Sequence, residues 1–149
     1  MATTSIRWEA CKRIVSLIEA DQDIEDTAVS VQPGWPGDRI IQKELIWIDE
    51  ITGDTRIPVM TGGRKERDDE FEITLNFRVV GLHDLEDTMD RIFVLVAIVE
   101  NILADDTSLD ALDGVLSAEI TSQRMSCAMF PEGPVAYAEL KIQISSRLL

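Results

Sequence analysis

The chain has 149 residues, 28 acidic and 14 basic, for a net charge of −14, with 45% hydrophobic and 28% charged residues. That length fits one domain spanning 1–149 around one core, and the composition excludes wholesale disorder. The negative charge makes broad contact with phosphates repulsive, which argues against sequence-specific nucleic acid binding. No long apolar run and no basic-then-apolar leader occurs, so neither a membrane span nor a signal peptide is indicated, and a cytosolic protein is expected. Cys11 and Cys127 lack CxxC spacing and the chain has a single histidine, so the thiols read as core filling and a zinc site lacks ligands.

From Ser5 to Ala20, Ala10, Cys11, Ile14, Val15, Leu17 and Ile18 recur at three- and four-residue spacing, predicting an amphipathic helix with an N-cap in Thr3-Thr4-Ser5. An acidic connector, Asp21 to Asp26, leads to a short strand at Ala28 to Gln32, closed by the turn sequence PGWPG. ELIWIDEI, Glu44 to Ile51, predicts a strand that turns at TGD, Thr52 to Asp54, into a second one over Thr55 to Met60, where Pro58 implies an edge position. Phe71, Ile73, Leu75, Phe77 and Val79 alternate with Glu72, Thr74, Asn76 and Arg78, the clearest strand pattern in the chain.

Gly81 ends that strand, and Leu85, Met89, Ile92, Phe93, Val96, Val99, Ile102 and Leu103 mark a longer helix over Asp84 to Ala104. Two further strands, Val115 to Met129 and Val135 to Leu148, flank PEGP at Pro131 to Pro134. The order predicts an α+β fold: a mixed, mostly antiparallel sheet of about six strands with two main helices packed on one face.

His83, Asp84, Glu86, Asp87 and Asp90 form the densest group of acid-base or hard-metal ligand types. Asp84 is also a natural N-cap with Asp87 three residues on, and early acids suit the positive end of a helix, which favours a capping role. ADDTSLDALDG alternates Asp106, Ser108 and Asp110 as calcium loops do, but Ala111 and Ser117 stand where glycine and a bidentate glutamate are required. GxxxxGK[ST], GxGxxG and GxSxG do not occur. No catalytic, cofactor or metal residue is therefore assigned. Trp35, in the proline-glycine turn, is a candidate interface anchor, with capping of its own sheet edge as the alternative.

TGGRKERDDEFEITLNF places Gly62 and Gly63 before the charged run Arg64, Lys65, Glu66, Arg67, Asp68, Asp69 and Glu70. Such a run cannot bury itself without many pairings and is expected to be a solvated loop. In its setting it carries a likeness. The helix, the strand with its Pro/Gly turn, GGRKERDDEFEITLNFRV, LEDTMDRIFVLVAIVENILADDTSLDAL and the closing antiparallel pair together resemble the tail terminator (tail completion) proteins of long-tailed bacteriophages.

The resemblance implies a structural virion protein without cofactor. It would form a homohexameric ring that caps the tail tube, ends its polymerisation and joins the tail to the head connector. Its implied partners are other copies of itself, the tail tube protein and the head-tail connector protein. It would be assembled in the host bacterial cytoplasm and reside in the virion tail. Gly62 to Asp69 would be the loop that orders against a neighbouring subunit or ring, and an acidic ring wall would let DNA pass without sticking. The competing readings are another head-tail connector or tail tube component and, in a different class, a metal-dependent enzyme using the His83 to Asp90 acids.

Overall fold

The computed structural model describes residues 5–25, 29–34, 43–56, 67–81 and 84–148. In chain order these form helix α1 (Ser5–Glu19), the short helix α2 (Gln22–Glu25), strands β1 (Ser30–Gln32), β2 (Glu44–Arg56) and β3 (Arg67–Val80), helix α3 (Leu85–Asp105), and strands β4 (Val115–Phe130) and β5 (Gly133–Leu148). The strands make one five-stranded sheet in the order β1-β2-β3-β5-β4. β1 runs parallel to β2, and every other pairing is antiparallel. The fold is α+β with a mixed open sheet.

The count falls one short of expectation because TGD is not a turn. β2 runs straight through it and pairs Gly53 with Phe71 of β3. A Cβ on Gly53 would lie 2.4 Å from the Glu70 carbonyl oxygen and 2.6 Å from the Phe71 Cα. Glycine is there because the neighbouring backbone comes too close for any side chain. The segment read as two strands is therefore one, and its continuation toward Met60, with Pro58, lies outside the described residues.

The alternation of β3 has the predicted consequence: Phe71, Ile73, Leu75, Phe77 and Val79 are fully buried. Each such side chain contributes roughly 1.5–3 kcal/mol relative to exposure. Ala136, Ala138, Leu140, Ile142 and Ile144 of β5 continue the same inner face. α1 adds Ile6, Ala10, Cys11, Ile14, Val15 and Ile18, and α3 adds Ile92, Leu95, Val96, Val99 and Leu103, all in one cluster. Two polar contacts fix α3 sideways across the sheet. Arg91 Nε donates to Glu44 Oε2 of β2 at 2.7 Å, and on the opposite side of the helix Glu100 Oε1 accepts from Gln123 Nε2 of β4.

The start of α3 follows from its sequence. Asp84 Oδ1 accepts from the Asp87 amide at 2.8 Å, and the Thr88 hydroxyl donates to the Asp84 carbonyl oxygen. α2 was not expected within the acidic connector. It forms because Asp21 Oδ1 accepts from the Asp23 amide and Ile24 has core to enter. At the tight β4–β5 turn Phe130 pairs with Gly133, whose φ of 130° is a glycine conformation.

Candidate interaction surface

The register of the central strands carries the chain toward the charged segment. β2 and β3 remain paired as far as Arg56 with Asp68, and β3 and β5 as far as Arg67 with Leu148. The connection 57–66 therefore leaves and re-enters the sheet at adjacent positions on its end. Gly62, Gly63, Arg64, Lys65 and Glu66 lie outside the described residues, as does Trp35. Arg67, Asp68 and Asp69 correct the expectation of a loop running to Glu70, since all three belong to β3.

Asp69 is also not solvated. It sits two residues before Phe71, on the inner face, and is 3% exposed. Arg7 of α1 meets it in a two-pronged pair, Nε to Oδ2 at 3.0 Å and a terminal nitrogen to Oδ1 at 2.6 Å. The same guanidinium lies 5.5 Å from the centre of the Phe71 ring, and the Ser146 hydroxyl donates to the Asp69 carbonyl oxygen. A buried carboxylate is tolerable only with such a partner. Asp69 thus belongs to an anchor that holds α1 to the end of β3.

On the outer face two rows of side chains cross the sheet. Trp47, Asn76, Glu139 and Arg124 form one, and Leu45, Arg78, Tyr137 and Ser126 the other. On the β2 side this face is covered, since Leu45 and Trp47 are buried, whereas Arg124 and Ser126 of β4 are exposed. Between these limits lies an open depression of about 380 Å³ lined by Trp47, Asn76, Arg78, Arg124, Tyr137 and Glu139, among others. Within it the buried Nε of Arg78 has no hydrogen-bond partner among the described residues. From the sequence, Arg78 is an outward strand position and no more. Alternation shows that much, while the neighbours two strands away come from register.

The acidic groups go to local structure. Glu86, Asp87 and Asp90 are exposed on the first turns of α3 beyond the Asp84 cap, and His83 lies outside the described residues. Among the described residues no three His, Cys, Asp or Glu side chains are grouped to hold a metal ion. Asp106 accepts from the Ser108 hydroxyl and amide and, through Oδ2, from the Asp110 amide, and these bonds to Ser108 and Asp110 hold its carboxyl below the ordinary range. They close a turn in which Leu109, Asp110 and Ala111 all have φ between 53° and 58°. Arg13 donates to the Asp110 carbonyl oxygen at 3.1 Å, and Leu109 is fully buried beneath it. Burial pushes the Cys11 thiol up to about 12, so it stays protonated and inert at neutral pH, as core filling requires.

Comparison with protein-family models and with curated proteins finds no match to this chain. No helix among the described residues is long and apolar enough to cross a membrane.

Proposed function

We propose that this chain is a structural subunit of a phage tail, a terminator whose ring closes the tail tube, ends its growth and meets the head connector. The observation that supports it most is that Arg56, at the end of β2, and Arg67, at the start of β3, lie side by side at one end of the sheet, paired within it and close to the Arg7–Asp69 anchor, so that the sequence between them starts and finishes on a braced support. A braced strand end is what a contact segment needs, and in this reading the charged sequence Arg64, Lys65 and Glu66 after Gly62 and Gly63 would stay hydrophilic before assembly and pair with opposite charges of a partner.

In this reading one face of the ring matches the tube end and the other does not template further tube subunits. Six copies would close through a heterologous contact, one patch meeting a different patch on the next subunit. The work is done by surface complementarity, so no bond is made or broken. The net charge of −14 per chain would give such a ring an acidic character that repels passing DNA.

The test replaces Arg64, Lys65 and Glu66 with Gly-Ser residues and leaves Arg67 to Asp69 intact, since these belong to the strand. Purified protein is mixed with growing tail tubes and followed by electron microscopy. The expected result is rings at the ends of length-limited tubes for the natural chain, and uncapped, longer tubes for the variant with its fold retained. A natural chain that leaves tube growth unchanged would sink the proposal.

A further inference from the structure

Among the described residues β4 is a long edge of the sheet with no strand beyond it, and alternate residues of such an edge direct their N–H and C=O groups away from their own sheet. Natural proteins protect such edges with charges, prolines or irregularities. From Val115 to Phe130, β4 contains no proline and only two charged residues, Glu119 and Arg124, and its protection is confined to these charges and to the register shifts at Val115/Ser117 and Ile120/Ser122. Both are exposed, and neither has an ion-pair partner within the chain among the described residues. Leu116 at 59%, Met129 at 66% and Phe130 at 44% are exposed along the same strand.

The two charges share a face. Arg124 is opposite Glu139, and Glu119 is opposite Gln143, both on the outer side of β5. They are five residues apart yet face the same way because the register shift between Ile120 and Ser122 inserts Thr121. We propose that β4 pairs antiparallel with β4 of a second copy of this chain, across a two-fold axis, so that Glu119 of each copy faces Arg124 of the other.

That register places Ser117 opposite Ser126, Ala118 opposite Met125, Ile120 opposite Gln123 and Thr121 opposite Ser122. Outer residues meet outer and inner meet inner, with the inserted threonines adjacent at the centre. A one-residue slip in either direction would break both the charge match and the match of faces. The apolar side chains of α3 support the same arrangement. Phe93, Ala97 and Ala104 lie seven, three and four residues from Glu100, hence on the side of the helix that reaches β4. All three are exposed, Phe93 at 52%. Joining two β4 edges brings the two α3 helices toward each other over the extended sheet, where these side chains would cover its seam. A ladder from Ser117 to Ser126 joins only two strand edges and one helix seam, so the pair falls among small, transient interfaces. It is independent of the ring reading and leaves the 57–66 end of the β2–β3 pair free.

The experiment is sedimentation velocity on the purified chain over a range of concentrations, with circular dichroism to verify folding. A reversible monomer–dimer equilibrium is expected. Glu119→Arg or Arg124→Glu alone puts like charges opposite each other twice per dimer and should weaken association by about tenfold or more. The exchange variant E119R/R124E restores both pairs and should recover association to within about threefold of the natural chain. Phe93→Glu should weaken it without loss of fold. A chain monomeric at every concentration, a dimer indifferent to either single reversal, or an exchange variant that stays as weak as the singles would overturn the proposal. Tube capping that fails while this equilibrium holds counts against the ring alone.

Discussion

Phe77 and Arg78 are consecutive in β3 but meet opposite conditions. Phe77 is sealed between the sheet and its helices, whereas Arg78 opens onto a depression with its Nε unpartnered among the described residues. The same division holds along β5, where Ala136, Ala138, Leu140, Ile142 and Ile144 are buried while Tyr137, Glu139, Lys141 and Gln143 keep at least partial exposure. The sheet's inner face is closed by α1 and α3. Its outer face is covered beside β2 and becomes bare toward β4. One face carries the stability of the fold and the other keeps polar groups available, which is how a subunit acting through contacts should divide its surface.

Substitutions on the two faces should therefore differ in kind. The largest loss is expected for Leu75→Ala, at the fully buried centre of β3, where the cavity should cost about 3 kcal/mol in urea unfolding. A cost below about 1 kcal/mol would place Leu75 outside the core described here. Next is Arg7→Ala, which leaves the Asp69 carboxylate without its guanidinium. The partial exposure of Arg7 tempers this to about 2 kcal/mol, and Asp69→Asn in the Arg7→Ala background should recover part of it. Asp84→Ala removes the cap of α3 and should cost about 1 kcal/mol. Arg78→Gln should change stability by less than about 0.5 kcal/mol in either direction. A large loss there would mean that the outer face is as structural as the inner one and would erase the comparison.

What could be read from the chain follows the strength of local signals. The alternation around Phe71 to Val79 and the helical spacing of α3 set both elements, because each buries a continuous apolar stripe. Thr52-Gly53-Asp54 misled, since Gly-Asp usually marks a turn while here glycine admits the neighbouring backbone. Asp69 was lost in a run of charges, yet continuing the alternation back from Phe71 puts it on the core face. Its partner Arg7 was out of reach, 62 residues away and on a different element. The outer-face rows needed the register of four strands, which no local pattern contains. The bareness of β4 could have been foreseen only with the strand order in hand, because the same sequence in the middle of a sheet would have no free edge.

Reading this chain as an assembly subunit rests on the braced strand ends at Arg56 and Arg67, and the difference between a sealed face and a partly open one is in keeping with it. Its most direct test is native mass spectrometry of the purified chain before and after addition of tail tubes, with electron microscopy of the same samples. Closed rings seated on tube ends, with tube elongation stopped, is the predicted result. Free chains beside tubes that keep lengthening would contradict it.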